Sequence, residues 1–142
     1  MTTVKFQSPD YIPVSGFTYS VITARYNGKW IFVRHHDRTT LEIAGGHIEA
    51  DETPLDTAWR ELAEETGALD FTLECIASYS VEKDGSTGYG RLFYADISKI
   101  SAIPDTSEIG EIVMMDTLPD NLTYPDIQPR LFNKVVEYLQ GR

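Results

Sequence analysis

The sequence predicts an α/β fold of the α+β type, in which a mixed β-sheet is packed between helices. Several segments rich in aromatic and β-branched residues are typical of strands and are separated by turn-forming residues. Two other segments carry apolar residues at helical spacing, one in the middle of the chain and one at its end. This order of strands, helix, strands and helix differs from the strict alternation of a doubly wound fold.

The predicted strands follow a lead-in, residues 1–16, which contains two prolines and is expected to be short and extended. The strand candidates are residues 17–26, 30–34, 41–43, 71–81, 91–97 and 111–115. Asn27 and Gly28 join the first two strands, because both residue types tolerate the positive φ of a two-residue hairpin turn. Residues 84–90 supply the Gly-rich turn of a longer hairpin, and the loop 98–107 that follows it contains Pro104.

Two helices are predicted. The first begins at Thr53-Pro54, because Thr is a good N-cap and Pro fits the first helical position, and it ends at Gly67, which can adopt the left-handed conformation. Its expected buried stripe consists of Leu55, Ala58, Trp59, Leu62 and Ala63. The second helix covers residues 127–140, and its expected inward residues are Leu131, Val135, Tyr138 and Leu139.

The charge balance argues against one class of partner. Twelve Lys and Arg residues stand against 22 Asp and Glu residues, which gives a formal net charge of −10. Binding to a nucleic-acid backbone needs clustered positive charge, so we expect no stable nucleic-acid binding. A small phosphorylated substrate is not excluded, because a bound metal ion can supply the positive charge.

Length and composition also bound the organisation and location of the chain. Its 142 residues fit a single domain that spans residues 1–142. Cys75 is the one cysteine, so we expect neither a disulfide framework nor a multi-Cys metal site. No apolar run approaches the length of a membrane span, and the first residues lack the apolar core of a signal peptide. We therefore expect a cytoplasmic protein without a membrane partner.

Three carboxylates are clustered on the first predicted helix. Glu61, Glu64 and Glu65 are three and four residues apart, so they lie close together on the helix surface. Like charges at this spacing are destabilising unless a positive charge lies between them. Mg²⁺ is a hard cation that prefers oxygen ligands, so the cluster predicts a metal site.

Two further features precede this helix. Gly45 and Gly46 follow a short strand, and glycines there let the backbone approach a ligand closely and expose its carbonyls or amides. His35 and His36 are adjacent, which invites a metal interpretation. However, adjacent side chains of an extended chain point to opposite faces, so a solvated loop is the preferred interpretation.

The central segment resembles the Nudix box. Gly46 is followed after five residues by Glu52, and after seven more by the run REL-AEETG at residues 60–67. Every position of fixed identity in that box is matched, and a chance match at one starting point has a probability of about 10⁻⁸. Two softer departures are Ala68, where a larger aliphatic residue is usual, and Ala44, where many members have proline.

The resemblance implies a Nudix-like α/β/α sandwich and hydrolysis of a nucleoside diphosphate linked to a further group X. It also implies dependence on Mg²⁺, with Mn²⁺ as an alternative. The metal ligands implied are Glu61, Glu64 and Glu65, completed by a backbone carbonyl at Gly45 or Gly46. The general base is one of these glutamates or a glutamate of a later loop. Of the two late candidates, Glu108 and Glu111, we choose Glu108.

Other residues acquire roles from the same resemblance. Glu52 and Arg60 are implied to pair and hold the loop onto the helix. Arg34, at the end of a buried strand, is a candidate for substrate phosphate, because Arg suits bidentate contacts, although a surface role is equally compatible. The aromatic residues that offer stacking faces for a base, or simply belong to the core, are Phe17, Tyr19, Tyr79 and Tyr124.

The expected substrate is a nucleoside triphosphate, including an oxidised purine nucleotide, cleaved to the monophosphate and pyrophosphate. Parts of the chain outside the box are similar to the MutT-type, 8-oxo-dGTP diphosphatase-like branch of the family. Alternatives are a sugar nucleotide, a dinucleoside polyphosphate, an RNA 5′ end, or a catalytically silent Nudix-like binding module. A homodimer is compatible with the resemblance, because family members are often dimers.

Overall fold

The computed structural model describes residues 1–103 and 105–142, and Pro104 of the predicted loop lies outside the described residues. The described residues form seven strands and two helices. In chain order these are β1 (Thr2–Gln7), β2 (Tyr19–Tyr26), β3 (Lys29–His35), β4 (Ala44–His47), α1 (Pro54–Thr66), β5 (Ala68–Lys83), β6 (Ser86–Ile100), β7 (Ile109–Met115) and α2 (Gln128–Gln140).

The strands form one mixed sheet, as the sequence predicts. The strand order is β1-β5-β6-β2-β3-β7, and β4 pairs with β2 outside this order. The β2–β6 pair is parallel, whereas the other pairs of named strands are antiparallel. The parallel pair joins the β2–β3 hairpin to the long β5–β6 hairpin. The short β4 lies directly before α1 in the chain, so it brings the glycine pair to the side of this helix.

Each face of the sheet has its own hydrophobic core. On one face, Ala58 and Leu62 of α1 pack with Ile22, Ile31 and Phe93 of the strands. On the other face, α2 contributes Leu131, Phe132 and Val135 to a cluster with Trp30 and Phe32. The α/β/α sandwich is thereby confirmed. No helix within residues 1–103 and 105–142 is long and apolar enough to cross a membrane.

The hairpin turns differ in how well the sequence predicts them. Asn27 and Gly28 have φ values of 51° and 77°, which confirms the two-residue turn between β2 and β3. The second turn is shorter than predicted, because β5 ends at Lys83 and β6 already begins at Ser86. Gly90 belongs to β6, where a Cβ would overlap the ring of Tyr79. This glycine therefore serves side-chain packing rather than a turn. The predicted lead-in also contains a strand, β1.

The ends of α1 are confirmed, but its buried side is not the predicted one. The Thr53 hydroxyl accepts a hydrogen bond from the Asp56 N–H at 3.1 Å, and Gly67 ends the helix with a φ of 76°. Leu55 and Trp59 are 52% and 55% exposed, so they do not belong to the buried stripe. The helix instead buries a narrower strip of mostly small or polar residues: Thr57, Ala58, Leu62, Glu65 and Thr66.

One inward residue predicted for α2 is also wrong. Leu131 and Val135 are buried, but Tyr138 is 38% exposed. Its hydroxyl donates a hydrogen bond to the Glu74 carboxylate, which Arg142 also contacts at 2.7 Å. A polar partner at the sheet surface therefore holds Tyr138 outside the core.

Candidate active site

A cavity of about 580 Å³ lies beside β4, between the carboxylates of α1 and the first turn of α2. Its volume is in the range typical of small-molecule sites. One half is acidic and is lined by Glu42, Glu49, Glu61, Glu65 and Glu108. The other half is mainly apolar and is lined by Val21, Ile43, Tyr79, Val81, Ile127 and Leu131. Such a division suits a ligand with a charged end and an aromatic end.

The glycine pair forms the boundary between the two halves. Gly45 and Gly46 lie within β4, and the predicted strand at 41–43 is reduced to isolated bridges at Leu41 and Glu42. The N–H of Gly45 donates a hydrogen bond to Oε1 of Glu65 at 2.9 Å. The glycines therefore let a strand pass directly against the carboxylates of α1.

Glu65 is the most deeply buried carboxylate of the box. The residue is 5% exposed. Burial raises the pKa of Glu65 to about 8, with smaller contributions from the neighbouring carboxylates of Glu61, Glu42 and Glu108, while the hydrogen bond from the Gly45 N–H opposes the shift. The same cause, burial, raises the pKa of Glu61, although the guanidinium of Arg60 acts against it. Glu65 is buried and Glu61 is partly buried, so a positive charge in the cavity would favour the charged forms of both carboxylates.

Arg60 connects the acidic residues of the box. Its Nε and Nη2 donate to the two carboxylate oxygens of Glu52 at 2.7 and 2.9 Å, so the expected Glu52–Arg60 pair is present. Its Nη1 donates to Glu61 at 2.6 Å and lies 3.5 Å from the Glu64 carboxylate. The hydrogen bonds from Arg60 and from the Thr57 hydroxyl lower the pKa of Glu52 to about 2. Arg60 therefore balances charge within the box and ties the loop before α1 to the helix.

Gly67 is required by packing as well as by its left-handed conformation. A Cβ at this position would overlap the carbonyl oxygen of Ser101, and the carbonyl of Gly67 accepts the Ser101 N–H at 2.8 Å. This contact joins the end of α1 to the segment after β6. Gly67 is thus a structural residue of the box.

Glu64 and Glu108 are the exposed members of the acidic group. The Glu64 side chain is 59% exposed and the Glu108 side chain 87% exposed. Both line a cleft next to the cavity, together with Glu61 and Glu65. Within residues 1–103 and 105–142, no three His, Cys, Asp or Glu side chains are arranged so that they could hold a metal ion directly. Coordination by three carboxylates therefore requires one of the exposed side chains to turn toward the buried pair.

The predicted solvated loop is wrong for His35, which lies inside the acidic half of the cavity. Its Nε2 is 3.6 Å from Glu42 and 3.7 Å from Glu65, and its Nδ1 is 4.0 Å from Glu108. Residue 35 extends β3 and follows Ile31 and Val33 at a spacing of two, the strand period that could have identified it. The adjacent His36 is exposed, as the opposite-face argument requires.

Arg38, rather than Arg34, is the arginine that lines the cavity. The guanidinium of Arg34 contacts Glu111 at 3.3 Å and the backbone carbonyls of His35 and Arg38, outside the cavity. Arg38 pairs with Glu42 and lies over the ring of Tyr124 at 6.0 Å. The sequence did not separate these two arginines, because the loop conformation between β3 and β4 decides which one reaches the cavity.

Three of the four candidate aromatic residues reach the cavity. Tyr19, Tyr79 and Tyr124 line it, whereas Phe17 packs under the guanidinium of Arg91 at 4.7 Å. A further lining residue, Gln128, was not predicted. It is 6% exposed, and its Oε1 accepts a hydrogen bond from the Ile43 N–H at 2.8 Å. A polar residue in the first turn of a helix that otherwise buries apolar residues is the signal that could have found it.

Comparison with known families and curated proteins agrees with this geometry. The model described as "NUDIX domain" matches residues 16–130. A relative from Bacillus subtilis (strain 168), YtkD, whose name describes it as a candidate 8-oxo-dGTP diphosphatase, is 33% identical over 102 residues. The matched region covers 72% of this chain and 64% of that relative, so the chain spans less than two thirds of its length.

Solved structures share the same fold. A Bacillus subtilis pyrophosphohydrolase, BsRppH, superposes with a TM-score of 0.77 at 28% identity, over 96% of this chain and 92% of that chain. An Ap4A hydrolase from C. elegans superposes with a TM-score of 0.69 at 15% identity, over 87% of this chain and 98% of that chain. The second likeness, at this low identity, concerns the fold alone.

Proposed function

Because this chain belongs to the NUDIX family, we propose that it is a metal-dependent pyrophosphohydrolase that cleaves a nucleoside triphosphate to the monophosphate and pyrophosphate. The observation that carries the proposal is the pair of carboxylates formed by the buried Glu65 and the partly buried Glu61, in a cavity with an adjacent apolar half. The names of the YtkD and BsRppH relatives support a phosphate-anhydride substrate.

The donor set fits Mg²⁺ or Mn²⁺. Carboxylate oxygens are the ligands that hard divalent cations prefer. Burial raises the pKa values of Glu61 and Glu65 because it disfavours their charged forms, and a bound cation would offset this cost. Glu61, Glu64 and Glu65 would hold the ion, with a carbonyl of Gly45 or Gly46. Bound there, the ion would neutralise phosphate charge and lower the pKa of a water molecule.

The protein's own residues divide the remaining work. Glu108 borders both the cavity and the cleft beside Glu64, and its exposed side chain is free to accept a proton from an attacking water. Glu52 and Arg60 keep Glu61 in place and do not need to touch substrate. His35 lies among Glu42, Glu65 and Glu108 and separates their negative charges.

Substrate binding is assigned to the two halves of the cavity. Arg38 supplies the phosphate contact that the sequence suggested for Arg34, because it lines the cavity and Glu42 holds its guanidinium. The apolar half accepts the base, since aromatic and aliphatic side chains bury a flat ring favourably. An oxidised purine nucleotide such as 8-oxo-dGTP is the first substrate to test.

The test is a substrate panel with Mg²⁺, with Mn²⁺ and with no metal. It includes ordinary and oxidised nucleoside triphosphates, a sugar nucleotide, a dinucleoside polyphosphate and a triphosphorylated RNA end. Phosphorus NMR of reactions in isotopically labelled water would show which phosphorus is attacked. We expect a nucleoside triphosphate to give the monophosphate and pyrophosphate only when metal is present. Glu65→Gln is the inactive control.

Two results would contradict the proposal. Nucleotide binding by isothermal titration without product release would indicate a silent binding module. Faster cleavage of another panel member would retain the hydrolase and replace the substrate. Both outcomes are measured on the wild-type protein. Its thermal transition shows that the protein is folded in each experiment.

A further inference from the structure

Arg34 lies beside the cavity and contacts the turn that borders it, which consists of residues 35–38. The Arg34 side chain is 28% exposed and lies on β3 opposite Glu111 of β7. Its Nη1 donates hydrogen bonds to the backbone carbonyls of His35 at 3.3 Å and of Arg38 at 3.1 Å. One guanidinium nitrogen therefore ties together the two ends of the 35–38 turn.

The contact with Arg34 adds to a bond that the turn makes within its own backbone. The Arg38 N–H donates to the His35 carbonyl at 3.0 Å, the closing bond of a four-residue turn. This bond leaves the peptide after Arg38 free to rotate, whereas the bond from Arg34 to the Arg38 carbonyl fixes it. His35 and Arg38 both line the cavity, so the two bonds together set the direction of two site residues.

The 35–38 turn is also bound to the segment that carries Glu108. The His36 N–H donates to the backbone carbonyl of Glu108 at 2.9 Å. The pairing of β3 with β7 shifts by one residue after Arg34, so that His35 lies opposite Ile109. A bulge of this kind changes the direction of the side chains next to it. The position of Glu108 therefore depends on the turn that Arg34 holds.

Gly110 is the extra residue of this bulge and gives the guanidinium its space. A β-carbon at position 110 would lie 2.9 Å from Nη2 of Arg34 and 3.0 Å from Nδ1 of His36. A side chain at this position would have to displace the guanidinium from the two carbonyls. The long side chain of Arg34 and the missing side chain of Gly110 therefore belong to one arrangement.

The ion pair with Glu111 does not account for this arrangement. Nε of Arg34 lies 3.3 Å from a Glu111 side chain that is 55% exposed, and exposed pairs contribute little. The bonds to the two carbonyls have a charged donor, which strengthens them. We propose that Arg34 is a positioning residue, which fixes the 35–38 turn and thereby sets Arg38 for its phosphate contact and Glu108 for proton abstraction. This inference rests on the function proposed above.

The first experiment is a double-mutant cycle with Mg²⁺ and 8-oxo-dGTP. Arg34→Met should lower kcat/KM about tenfold, through both kcat and KM, because small displacements of positioned groups are costly. In an Arg38→Met background, the same substitution should still lower kcat but should no longer raise KM, because its effect on binding acts through Arg38. Independent, multiplying effects on KM would overturn the inference, as would a wild-type rate for Arg34→Met.

A second variant reaches the same arrangement from β7. Gly110→Ala keeps Arg34 but displaces its guanidinium, so it should reproduce the loss of kcat/KM and add little in an Arg34→Met background. Lys29→Met is the matched control, because it removes a positive charge from the other end of β3, where Lys29 pairs with Asp116. It should retain the wild-type kcat/KM. A wild-type rate for Gly110→Ala would contradict the inference. Thermal melting confirms that each variant is folded.

Amide hydrogen exchange distinguishes failure of this inference from failure of the proposed function, because it requires no hydrolysis. In Arg34→Met, the amides of His36 and Arg38 should exchange about tenfold faster than in wild type, the usual effect of one lost hydrogen bond. In Lys29→Met they should not change. Faster exchange in a protein that cleaves no triphosphate would support the hold of Arg34 on the turn and reject the hydrolase. Unchanged exchange with intact hydrolysis would overturn the inference and leave the hydrolase in place.

Discussion

The backbone of Gly46 lies against the carboxylate of Glu61, so that a β-carbon at position 46 would be 2.7 Å from Glu61 Cδ. The adjacent Gly45 meets a different neighbour, since its β-carbon would be 2.6 Å from the backbone carbonyl oxygen of Ser20. Two consecutive glycines are therefore needed for two reasons. One protects the position of a metal-ligand candidate, and the other permits the pairing of β4 with β2.

These contacts predict different effects for two alanine substitutions, one on activity and one on stability. Gly46→Ala should displace the Glu61 carboxylate, which can move, and should lower kcat/KM about tenfold or more with little change in stability. Gly45→Ala meets backbone, which cannot move easily, and should destabilise the protein by about 1–3 kcal/mol. Chemical denaturation and steady-state kinetics on both variants would check this. Equal losses of stability in the two variants would contradict the assignment.

The Glu52–Arg60 pair predicts a stability change in acid. The hydrogen bonds of Arg60 lower the pKa of Glu52 from 4.5 to about 2, so the folded state favours the charged carboxylate. This contribution is fully present above pH 4.5 and is lost as the pH falls from about 4.5 to 2. Glu52→Gln should be less stable than wild type at pH 7, and its melting temperature should depend less on pH in this window.

The control for this prediction is Glu49→Gln. The Glu49 side chain is 67% exposed and lies 3.6 Å from Arg60, a contact of the kind that contributes little to stability. Its melting curve should follow that of wild type at every pH. If both variants behave alike, the pH dependence does not come from the Glu52–Arg60 pair.

Glu65 predicts the opposite trend in the metal-free protein. Its folded-state pKa of about 8 lies above the ordinary value of 4.5, so the folded state retains a proton that the unfolded state releases. The stability of wild type should therefore decrease as the pH rises from about 4.5 to 8. Glu65→Gln cannot ionise and keeps an acceptor for the Gly45 N–H. In EDTA, it should melt on the order of 5 °C above wild type at pH 8.

The same variant separates stability from activity. Glu65→Gln should lose metal-dependent hydrolysis while gaining thermal stability without metal, because the buried charge is absent. Glu64→Gln is the comparison, since that side chain is 59% exposed and its removal should leave the metal-free melting temperature close to wild type. Substantial activity of Glu65→Gln would contradict its assignment as a metal ligand.

Glu108 and Glu111 form a second pair of matched variants. Glu108→Gln should lower kcat about 100-fold or more, the usual contribution of a general base, with a stability change within about 0.5 kcal/mol. Glu111 lies on β7, outside the cavity, and its carboxylate contacts Arg34. Glu111→Gln should therefore leave kcat nearly unchanged. A pH–rate profile would check the role of Glu108, because loss of the general base removes the acidic limb of that profile. An unchanged rate for Glu108→Gln would show that Glu108 is a surface residue and not the general base.

Sequence reasoning predicted the features that depend on local chemistry. The cap at Thr53, the left-handed Gly67 and the Asn27-Gly28 turn follow from conformational preferences of single residues, and all three are confirmed. The roles of the box residues remain predictions, but the position of Glu61, Glu64 and Glu65 on α1 is confirmed.

The errors concern which side of an element faces inward. Helical spacing alone placed Leu55 and Trp59 in the core, whereas α1 turns the polar Glu65 inward and leaves the Trp59 ring tilted against the ring of Phe71, with 5.1 Å between the ring centroids. A buried charged residue reverses the usual rule that apolar residues mark the inner face. His35 and Gln128 were missed for a related reason, because each is a polar residue at the end of an otherwise buried apolar face.

The three-way contact of Arg60 also bears on when a metal ion is needed. Many small metal-binding domains fold only when their ion is present, because the ligands repel one another in its absence. Here a guanidinium within the chain already serves as counter-ion for Glu52, Glu61 and Glu64. We therefore expect the polypeptide to complete folding without metal and to load the ion afterwards. Chelation should then abolish catalysis while the cooperative thermal transition is retained.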